Sequence, residues 1–388
     1  MNSLFAGLTV SIFEEMSALA RQHQAINLGQ GFPDDPGPED VRRKAADAVM
    51  TGWNQYPPMM GLPELRSAIA AHYAAHQNLA VDPERETMVT SGATEAIAGA
   101  LLACIAPGDE VVLFEPAYDA YLPLVKRAGG VPRFVKLQPP DWRFDLAQLK
   151  AALSPRTRAV LFNNPLNPAG CAYDAADLGV LARALEGTDA IVIADEVWEH
   201  VLFDGRRHVS VLAVPELRHR SVKIGSAGKI FNLTGWKVGF VVAAPDLLKV
   251  LAKAHQYITF TTPPNLQSAV AYGLAKPAAH FDAMRADLQA RRDHLANGLA
   301  QAGFAVLPSA ATYFINVDLG PMGLDDDVAF CRRMVAEAGV AAIPVSAFYA
   351  DAGMRSTIRF CFAKKYETLD AAVARLVENT GRLLAAHR

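Results

Sequence analysis

Two lysines and a turn of small residues form the first candidate site in this 388-residue sequence. Lys229 comes after the β-branched run 222–224 and the turn Ser226-Ala-Gly, and Lys237 follows in the same segment. A lysine just after a strand lies where open α/β sheets bind their ligands. Small and apolar neighbours lower the pKa of a lysine amine and free its lone pair for imine formation. The alternative is a solvated surface charge, which is the usual role of lysine.

Three further stretches place polar groups at the ends of strand-like runs. Ser91-Gly-Ala-Thr-Glu95 separates the run 87–90 from an apolar helical pattern, so its backbone N–H groups could bind a phosphate at a helix N-terminus. A turn with two Asn-Pro pairs, at 163–170, follows another apolar run. Asp195 directly follows the apolar run 190–194. A buried carboxylate needs a partner, and a protonated pyridine nitrogen would serve.

In combination these motifs resemble those of the class I/II aminotransferases, which are pyridoxal 5′-phosphate (PLP) enzymes of fold type I. Within that family the chain is most similar to the branch of methionine, aromatic, kynurenine and glutamine transaminases. The resemblance covers nearly the whole chain, from Ile26-Asn-Leu-Gly-Gln-Gly-Phe-Pro33 to Ile358-Arg-Phe-Cys-Phe-Ala-Lys364. It implies an α/β fold in which a large domain with a mainly parallel seven-stranded sheet is joined to a smaller α+β domain.

The order of apolar runs and helical patterns predicts the same architecture. Nearly continuous apolar runs are typical of strands buried on both faces of a parallel sheet. These runs lie at 111–114, 134–137, 159–162, 190–194, 222–224 and 239–243, with helical patterns at 118–128, 146–153 and 175–185 between them. We predict three regions: an N-terminal arm with part of the small domain at 1–45, a large PLP-binding domain at 46–280, and a small C-terminal domain at 281–388.

The resemblance assigns the central chemistry to three residues. Lys229 would form the imine with PLP and carry the proton between the substrate Cα and the cofactor C4′. Asp195 would keep the pyridine nitrogen protonated, so that the ring accepts electrons from the carbanion. Arg359 matches the arginine whose planar guanidinium binds the substrate α-carboxylate. A structural salt bridge is the alternative for an arginine in an apolar strand.

Further cofactor contacts follow from the same resemblance. The phosphate would be bound by Gly92, Ala93, Thr94, Ser226 and Lys237. The family often has arginine at the last of these positions, and lysine keeps the charge but not the bidentate fork. Tyr118 would stack on the pyridine ring. Asn167 would hydrogen-bond the cofactor 3′-oxygen and touch the substrate carboxylate.

Two loops are expected to complete the substrate pocket and to join two subunits. By resemblance, the backbone of Gly31 lies beside the substrate carboxylate, and Phe13 and Phe32 border the side-chain pocket. Tyr56 matches a tyrosine that reaches the cofactor phosphate of the other subunit. The chain is therefore expected to form a homodimer with shared active sites.

Trp198 departs from the family pattern, which has tyrosine three positions after the aspartate. The tyrosine hydroxyl bonds the cofactor 3′-oxygen and lowers the pKa of the imine. An indole N–H can donate but can neither accept nor ionise. We therefore expect PLP to bind with an altered and higher imine pKa.

Composition narrows the remaining functional classes. The net charge of −3 gives no basic field for nucleic acid or an anionic membrane. No uncharged run approaches the ~18 apolar residues of a membrane helix, and no signal peptide is visible. The four cysteines are far apart and suggest free thiols in a reducing compartment, so a cytoplasmic location is expected. No metal is expected.

The predicted activity is transfer of an amino group from an L-amino acid to a 2-oxo acid by a ping-pong mechanism. Candidate donors are methionine, aromatic amino acids, glutamine and kynurenine, and an acyl-diaminopimelate-type substrate stays open. A PLP-dependent C–S or other lyase of the same fold is the first alternative. A non-catalytic PLP-sensing regulatory module is a remote second, because such modules carry a DNA-binding segment first and the motifs here begin near residue 26.

Overall fold

The structure, a computed structural model, describes residues 3–351 and 353–385. The helices in these ranges are α1 (Ser3–Ala6), α2 (Ile12–Gln22), α3 (Glu39–Thr51), α4 (Pro63–Gln77), α5 (Ala93–Cys104), α6 (Tyr121–Arg127), α7 (Leu146–Ala152), α8 (Ala175–Ala184), α9 (Pro215–Arg218), α10 (Ala227–Ile230), α11 (Pro245–Ile258), α12 (Pro264–Leu274), α13 (Ala278–Gln301), α14 (Asp327–Ala338) and α15 (Tyr366–Ala385). The strands are β1 (Ile26–Asn27), β2 (Thr87–Thr90), β3 (Glu110–Glu115), β4 (Val131–Lys136), β5 (Thr157–Asn163), β6 (Ile191–Asp195), β7 (Ser221–Ser226), β8 (Gly239–Ala243), β9 (Ala305–Val306), β10 (Phe314–Asp318), β11 (Val340–Ala341), β12 (Ile343–Pro344) and β13 (Thr357–Cys361).

The large sheet has seven strands in the order β2-β8-β7-β6-β5-β3-β4. Strands β3 to β7 pair in parallel, and β8 runs antiparallel to both β2 and β7. The sequence prediction of a mainly parallel seven-stranded sheet is therefore confirmed. Such a sheet brings the residues that follow its parallel strands to one edge.

Helices cover both faces of the large sheet, as its apolar strands require. Alternate residues of β3 pack into different apolar clusters, with Val112 and Phe114 in one and Val111 and Leu113 in the other. This alternation is the two-residue period of a strand. Each face then buries its own layer of helices, which holds the strand ends in fixed positions.

A smaller antiparallel sheet, β12-β13-β10-β9, and the parallel pair β1-β11 form a second region. The helices α14 and α15 pack together in this region, with Phe330 and Leu376 in its core. Strand β10 begins at Phe314, because Thr312, two residues earlier, has a φ of 71° that a strand does not allow. The domain boundaries near residues 45 and 280 stay a prediction.

Candidate active site

A cavity of about 440 Å³ lies at the carboxyl ends of the parallel strands. Its walls include Asn163 at the end of β5, Asp195 at the end of β6 and Ser226 at the end of β7. The residues predicted for the site that line this cavity are Phe13, Gly31, Phe32, Gly92, Ala93, Thr94, Tyr118, Asn167, Asp195, Trp198, Ser226, Lys229, Lys237 and Arg359. Tyr56 is not among the lining residues of this chain.

Lys229 lies in the short helix α10, directly after β7. The hydroxyl of Tyr313 lies 3.1 Å from the Lys229 carbonyl oxygen and also contacts the Asn232 side chain, so the backbone here is held in place. The Lys229 amine is 4.6 Å from the centre of the Trp198 ring. Burial lowers the pKa of Lys229 to about 8. A useful fraction of the amine is therefore unprotonated and nucleophilic near neutral pH.

Asp195 is buried, and its carboxylate faces the same cavity. Its Oδ2 accepts a 2.6 Å hydrogen bond from the hydroxyl of Tyr121, and its Oδ1 a 3.3 Å bond from the Val197 N–H. The Asn163 side chain donates to the Asp195 carbonyl oxygen at 2.8 Å. Burial raises the pKa of the Asp195 carboxyl. The bonds from Tyr121 and Val197 leave the Asp195 carboxylate with acceptor capacity for a cationic N–H donor in the cavity.

The N-terminus of α5 and Lys237 form a positive corner of the cavity. Gly92 caps this helix with a φ of 81°, a conformation that glycine adopts without strain. A Cβ at this glycine would lie 3.2 Å from Lys237 Cε, so the lysine chain passes close over the helix end. The free N–H groups of a helix N-terminus and an ammonium group together suit a phosphate.

Arg359 lies in the middle of β13 and is only 1% exposed. Its two terminal nitrogens donate to Asn167 Oδ1 and to the Gly29 carbonyl oxygen, each at 3.0 Å. Within residues 3–351 and 353–385, no carboxylate lies within 4.0 Å of it, and its Nε has no partner. Burial lowers the pKa of Arg359. A structural salt bridge is thus not found in this part of the chain, and the guanidinium lines the cavity.

Aromatic rings surround that guanidinium. Its Cζ lies 3.8 Å from the ring centre of Phe314, 5.1 Å from Phe348 and 5.4 Å from Phe13. A Cβ at Gly31 would come within 2.5 Å of Phe314, so only glycine fits beside this ring. The arrangement gives the cavity one charged end with an apolar wall beside it.

Sequence reasoning missed six polar residues of the cavity, which are Ser11, Gln30, Asp119, Tyr121, Asn163 and Thr234. Tyr121 bonds Asp195, and Asn163 bonds both Asp195 and the N–H of Asn167. Asn163 could have been found, because it opens the Asn-Pro turn. Tyr121 and Asp119 stand beside Tyr118 in the sequence but carry no signal of their own. Burial raises the pKa of the Asp119 carboxyl.

Trp198 and Tyr56 occupy very different environments. Trp198 is buried, with the rings of Tyr313 and Phe314 packed edge-on at 4.7 and 5.7 Å. Tyr56 is 81% exposed and contacts Phe260 at a ring distance of 5.6 Å. Trp198 is therefore a wall of the cavity beside Lys229, whereas Tyr56 lies on the surface of the chain.

These features fit PLP as a cofactor. A low-pKa amine for its aldehyde, a buried carboxylate for its ring nitrogen and a positive helix end for its phosphate line one cavity. An α/β fold with this site defines a PLP-dependent enzyme of fold type I.

Comparison with known proteins gives the family. The family described as aminotransferase class I and II matches residues 23–376. The methionine aminotransferase of Escherichia coli is 44% identical over 369 residues, covering 95% of this chain and 96% of that protein. Kynurenine–oxoglutarate transaminase 1 of Homo sapiens is 33% identical and covers 94% of each chain. The structure of N-succinyldiaminopimelate aminotransferase from Mycobacterium tuberculosis has a TM-score of 0.94 at 43% identity, covering 97% of this chain and 99% of that one.

The chain belongs to the class I and II aminotransferases and is a PLP-dependent enzyme that transfers amino groups. The resemblance read from the sequence is therefore confirmed. In the part of the chain that the structure describes, no helix is long and apolar enough to cross a membrane.

Proposed function

We propose that the enzyme moves the amino group of an L-amino acid with an apolar side chain, such as methionine or an aromatic amino acid, to a 2-oxo acid by a ping-pong mechanism. The observation that carries this proposal is the charge inventory of the cavity. Among the described lining residues the cations are Lys229, Lys237 and Arg359, and each already has a role. None is left in this chain for a second substrate carboxylate.

Four residues of the cavity each have one task in this reaction. Bound PLP supplies the electron sink for the electron pair released at the substrate Cα. Arg359 binds the α-carboxylate through two parallel N–H groups and so orients the Cα–H bond. The amine of Lys229 would take the proton from the substrate Cα and, now protonated, would give it up to C4′ of the cofactor. Asp195 would hold the proton on the ring nitrogen, and Tyr118 would pack against the ring face.

The side-chain preference follows from the rest of the wall. Phe13 and Phe32 line the cavity, and aromatic surface favours apolar side chains. Asp119 adds a negative charge in the same cavity, which opposes an acidic side chain. A buried carboxylate left without a partner costs about 3–5 kcal/mol. Acidic donors should therefore react at least about 150-fold less well than methionine.

A panel of donors tests this preference. Purified enzyme with bound PLP is mixed with L-methionine, L-phenylalanine, L-kynurenine, L-glutamine, L-aspartate or N-succinyl-diaminopimelate, and the cofactor absorbance and the oxo-acid product are measured. We expect methionine and the aromatic donors to have the highest kcat/KM, and Lys229→Ala to show no turnover. A preference for aspartate or the succinylated donor would contradict the proposal. Ammonia and pyruvate formed without an acceptor would favour a lyase.

The same proposal includes a homodimer with shared active sites. Apolar side chains are exposed at Met50, Trp53, Tyr56, Tyr257 and Phe260, and the ring of Phe260 contacts that of Tyr56. A second copy that covers this surface would place Tyr56 at the partner's phosphate site.

Mixing two defective chains tests the shared site. Lys229→Ala and Tyr56→Ala homodimers should each be impaired. If sites are shared, a mixed dimer has one site with both residues intact, and re-association should restore about one quarter of wild-type activity, because half of the dimers are mixed. Activity no higher than the sum of the two separate proteins would contradict sharing.

The unpaired cysteines, Cys104, Cys171, Cys331 and Cys361, support a cytoplasmic location.

A further inference from the structure

A fully buried lysine that the proposed reaction does not use lies behind the site. Lys223 is in the middle of β7, opposite Ala194 of β6, and is 0% exposed. Its Nζ donates to Glu196 Oε2 at 2.6 Å and to Glu199 Oε2 at 2.8 Å. Burial opposes the charge of Lys223, but the two glutamates outweigh it and raise the pKa of this lysine. The lysine is therefore a fixed cation bound to two buried carboxylates.

Both carboxylates are anchored further. Glu196 also accepts hydrogen bonds from His208 Nε2 and from the Val211 N–H, each at 2.8 Å. Burial opposes ionisation of Glu196, but Lys223 and His208 prevail and lower its pKa to about 2. The carboxylate is therefore ionised at every working pH, and its ion pair with Lys223 persists.

Glu199 is held from helix α4. Its Oε1 accepts from the hydroxyl of Tyr73 at 3.2 Å, and its Oε2 accepts from the Gln77 side chain at 2.5 Å. The Lys223 ammonium also lies 4.6 Å from the ring centre of Tyr73. Each glutamate thus has several partners, and the group joins β7, helix α4 and the turn after β6.

His200, next to Glu199, has its own anchor. Its Nε2 lies 2.7 Å from His72 Nε2, and His72 Nδ1 lies 3.0 Å from the Leu274 carbonyl oxygen. That carbonyl can only accept, so His72 Nδ1 carries a proton, and a neutral His72 must accept at Nε2 from His200. Burial lowers the pKa of His72 to about 4, which keeps it neutral. The direction of both hydrogen bonds is thereby fixed.

These anchored residues alternate with residues of the cavity. Asp195, Val197 and Trp198 line the cavity, whereas Glu196 and Glu199 point to the buried group behind it. The backbone of this turn is bonded as well, with the Glu196 N–H donating to the Ile224 carbonyl oxygen at 2.9 Å and the Glu199 N–H to the Glu196 carbonyl oxygen at 3.1 Å. These bonds fix the main chain, and the side chains that face away from the cavity tie the turn to β7 and α4.

A group of three buried charges is weak evidence for a stabilising role. Replacing a buried ion pair by apolar residues of similar volume is often neutral or stabilising. Directional bonds give a defined geometry instead, and catalytic groups need support that holds them within about 0.5 Å. A buried lysine bonded to both flanks of a catalytic turn supplies such support.

We infer that Lys223, through Glu196 and Glu199, is a positioning residue of the transamination reaction, which fixes the turn 195–200 and so sets Asp195 and Trp198 against the cofactor. The inference rests on the proposed role of Asp195. It adds that the proton on the cofactor ring nitrogen depends on a lysine that touches neither cofactor nor substrate.

The test is the paired substitution Lys223→Met with Glu199→Gln. It removes one buried positive and one buried negative charge, so the net charge of the group is unchanged. The enzyme is loaded with PLP labelled with ¹⁵N in its ring, and the ¹⁵N chemical shift reports protonation of that nitrogen. We expect the shift to move toward the unprotonated form and kcat for L-methionine to fall about tenfold or more, with KM within twofold. KM is retained because Arg359 still binds the carboxylate.

Two further variants separate positioning from general destabilisation. Leu178→Ala, in the outer helix α8, removes a fully buried side chain from the apolar cluster on one face of the large sheet. It should lower the melting temperature and leave the ¹⁵N signal and kcat unchanged. Tyr73→Phe removes one hydrogen bond of Glu199 and keeps the ring, so the variant should fold. It should lower kcat about threefold and move the ¹⁵N signal in the same direction as the paired variant does.

The outcomes distinguish this inference from the proposed function. An unprotonated ring nitrogen in the wild-type enzyme would overturn the role of Asp195 and this inference with it. A protonated wild-type nitrogen whose signal and kcat are unchanged in the paired variant and in Tyr73→Phe would overturn the positioning role of Lys223 alone. A loss in Leu178→Ala equal to that of the paired variant would likewise overturn it, because the effect would then be one of stability.

Discussion

Arg359→Ala should weaken recognition of the substrate carboxylate and leave the cofactor in place. The arginine is buried, it donates to Asn167 and Gly29, and in the described ranges it has no carboxylate partner of its own. Removing one partner of a buried, hydrogen-bonded charge pair costs about 2–5 kcal/mol. A value of about 3 kcal/mol corresponds to about 150-fold in kcat/KM for L-methionine. Arg359→Lys keeps the charge but not the fork, so a smaller loss of about tenfold is expected.

The assay compares two donors that differ only in the carboxylate. L-Methionine and 3-(methylsulfanyl)propylamine share the amine and the side chain, and single-turnover absorbance of the bound cofactor follows both. The wild-type enzyme should prefer methionine by about 150-fold or more, whereas Arg359→Ala should lose that preference. Arg355→Ala is the matched control, because this arginine is half exposed and paired with Asp326. It should retain the wild-type preference.

Two results would refute this reasoning. The first is an Arg359→Ala enzyme that still prefers methionine over the amine by more than about tenfold, since another group would then bind the carboxylate. The second is equal loss with both donors, which would indicate damage to the cofactor site. The absorbance spectrum before substrate addition distinguishes these cases, because it should match that of the wild type.

Three further predictions concern the cofactor, the active amine and acid stability. Trp198→Tyr should lower the pH at which the bound cofactor changes colour, because a phenol can hydrogen-bond the cofactor 3′-oxygen, whereas Trp198→Phe should not lower it. Spectral titration measures this midpoint pH, and equal midpoints in the wild type and both variants would contradict the prediction. The rate of PLP uptake by the apoprotein should rise with pH and level off above about 8, where Lys229 loses its proton; a stopped-flow rate still rising at pH 10 would contradict a buried amine. Burial lowers the pKa of His72 from 6.5 to about 4. Between these values the unfolded chain binds a proton that the folded chain does not, so about 3 kcal/mol of stability is lost as pH falls from 6.5 to 4. In urea unfolding, His72→Gln should lose less stability over this range, and His294→Gln, at an exposed position, should match the wild type. Parallel curves of unfolding free energy against pH for all three proteins would contradict a lowered pKa at His72.

The sequence predicted the large sheet well because its strands are buried on both faces. Runs such as 159–162 and 190–194 are continuously apolar, and that pattern needs no knowledge of the partner strands. Strands β1, β11 and β12 were not predicted, since two residues cannot display a period. Helices α11 and α12 were also missed, although Pro245 and Pro264 stand at their first positions, where proline favours a helix start.

The residues in and behind the active site also differ in whether the sequence alone could predict them. Lys229, Asp195 and Arg359 were predicted because each stands in a motif next to a strand or inside it, and the structure places all three on one cavity. Lys223 carried no such signal, because its bonds to Glu196 and Glu199 depend on the register of β7 against β6. A contact between residues that are distant in sequence is set by packing, and one sequence alone does not reveal packing.

The two cations proposed to act on the substrate Cα and carboxylate stand on different sheets. Lys229 follows a strand of the large sheet, whereas Arg359 belongs to the small antiparallel one. An amino acid whose carboxylate pairs with Arg359 while its Cα lies beside Lys229 would therefore bridge the boundary between the two sheets. Substitutions at that boundary, far from either residue, would change the distance between the two side chains and so the alignment of Cα with the amine, without touching the chemistry.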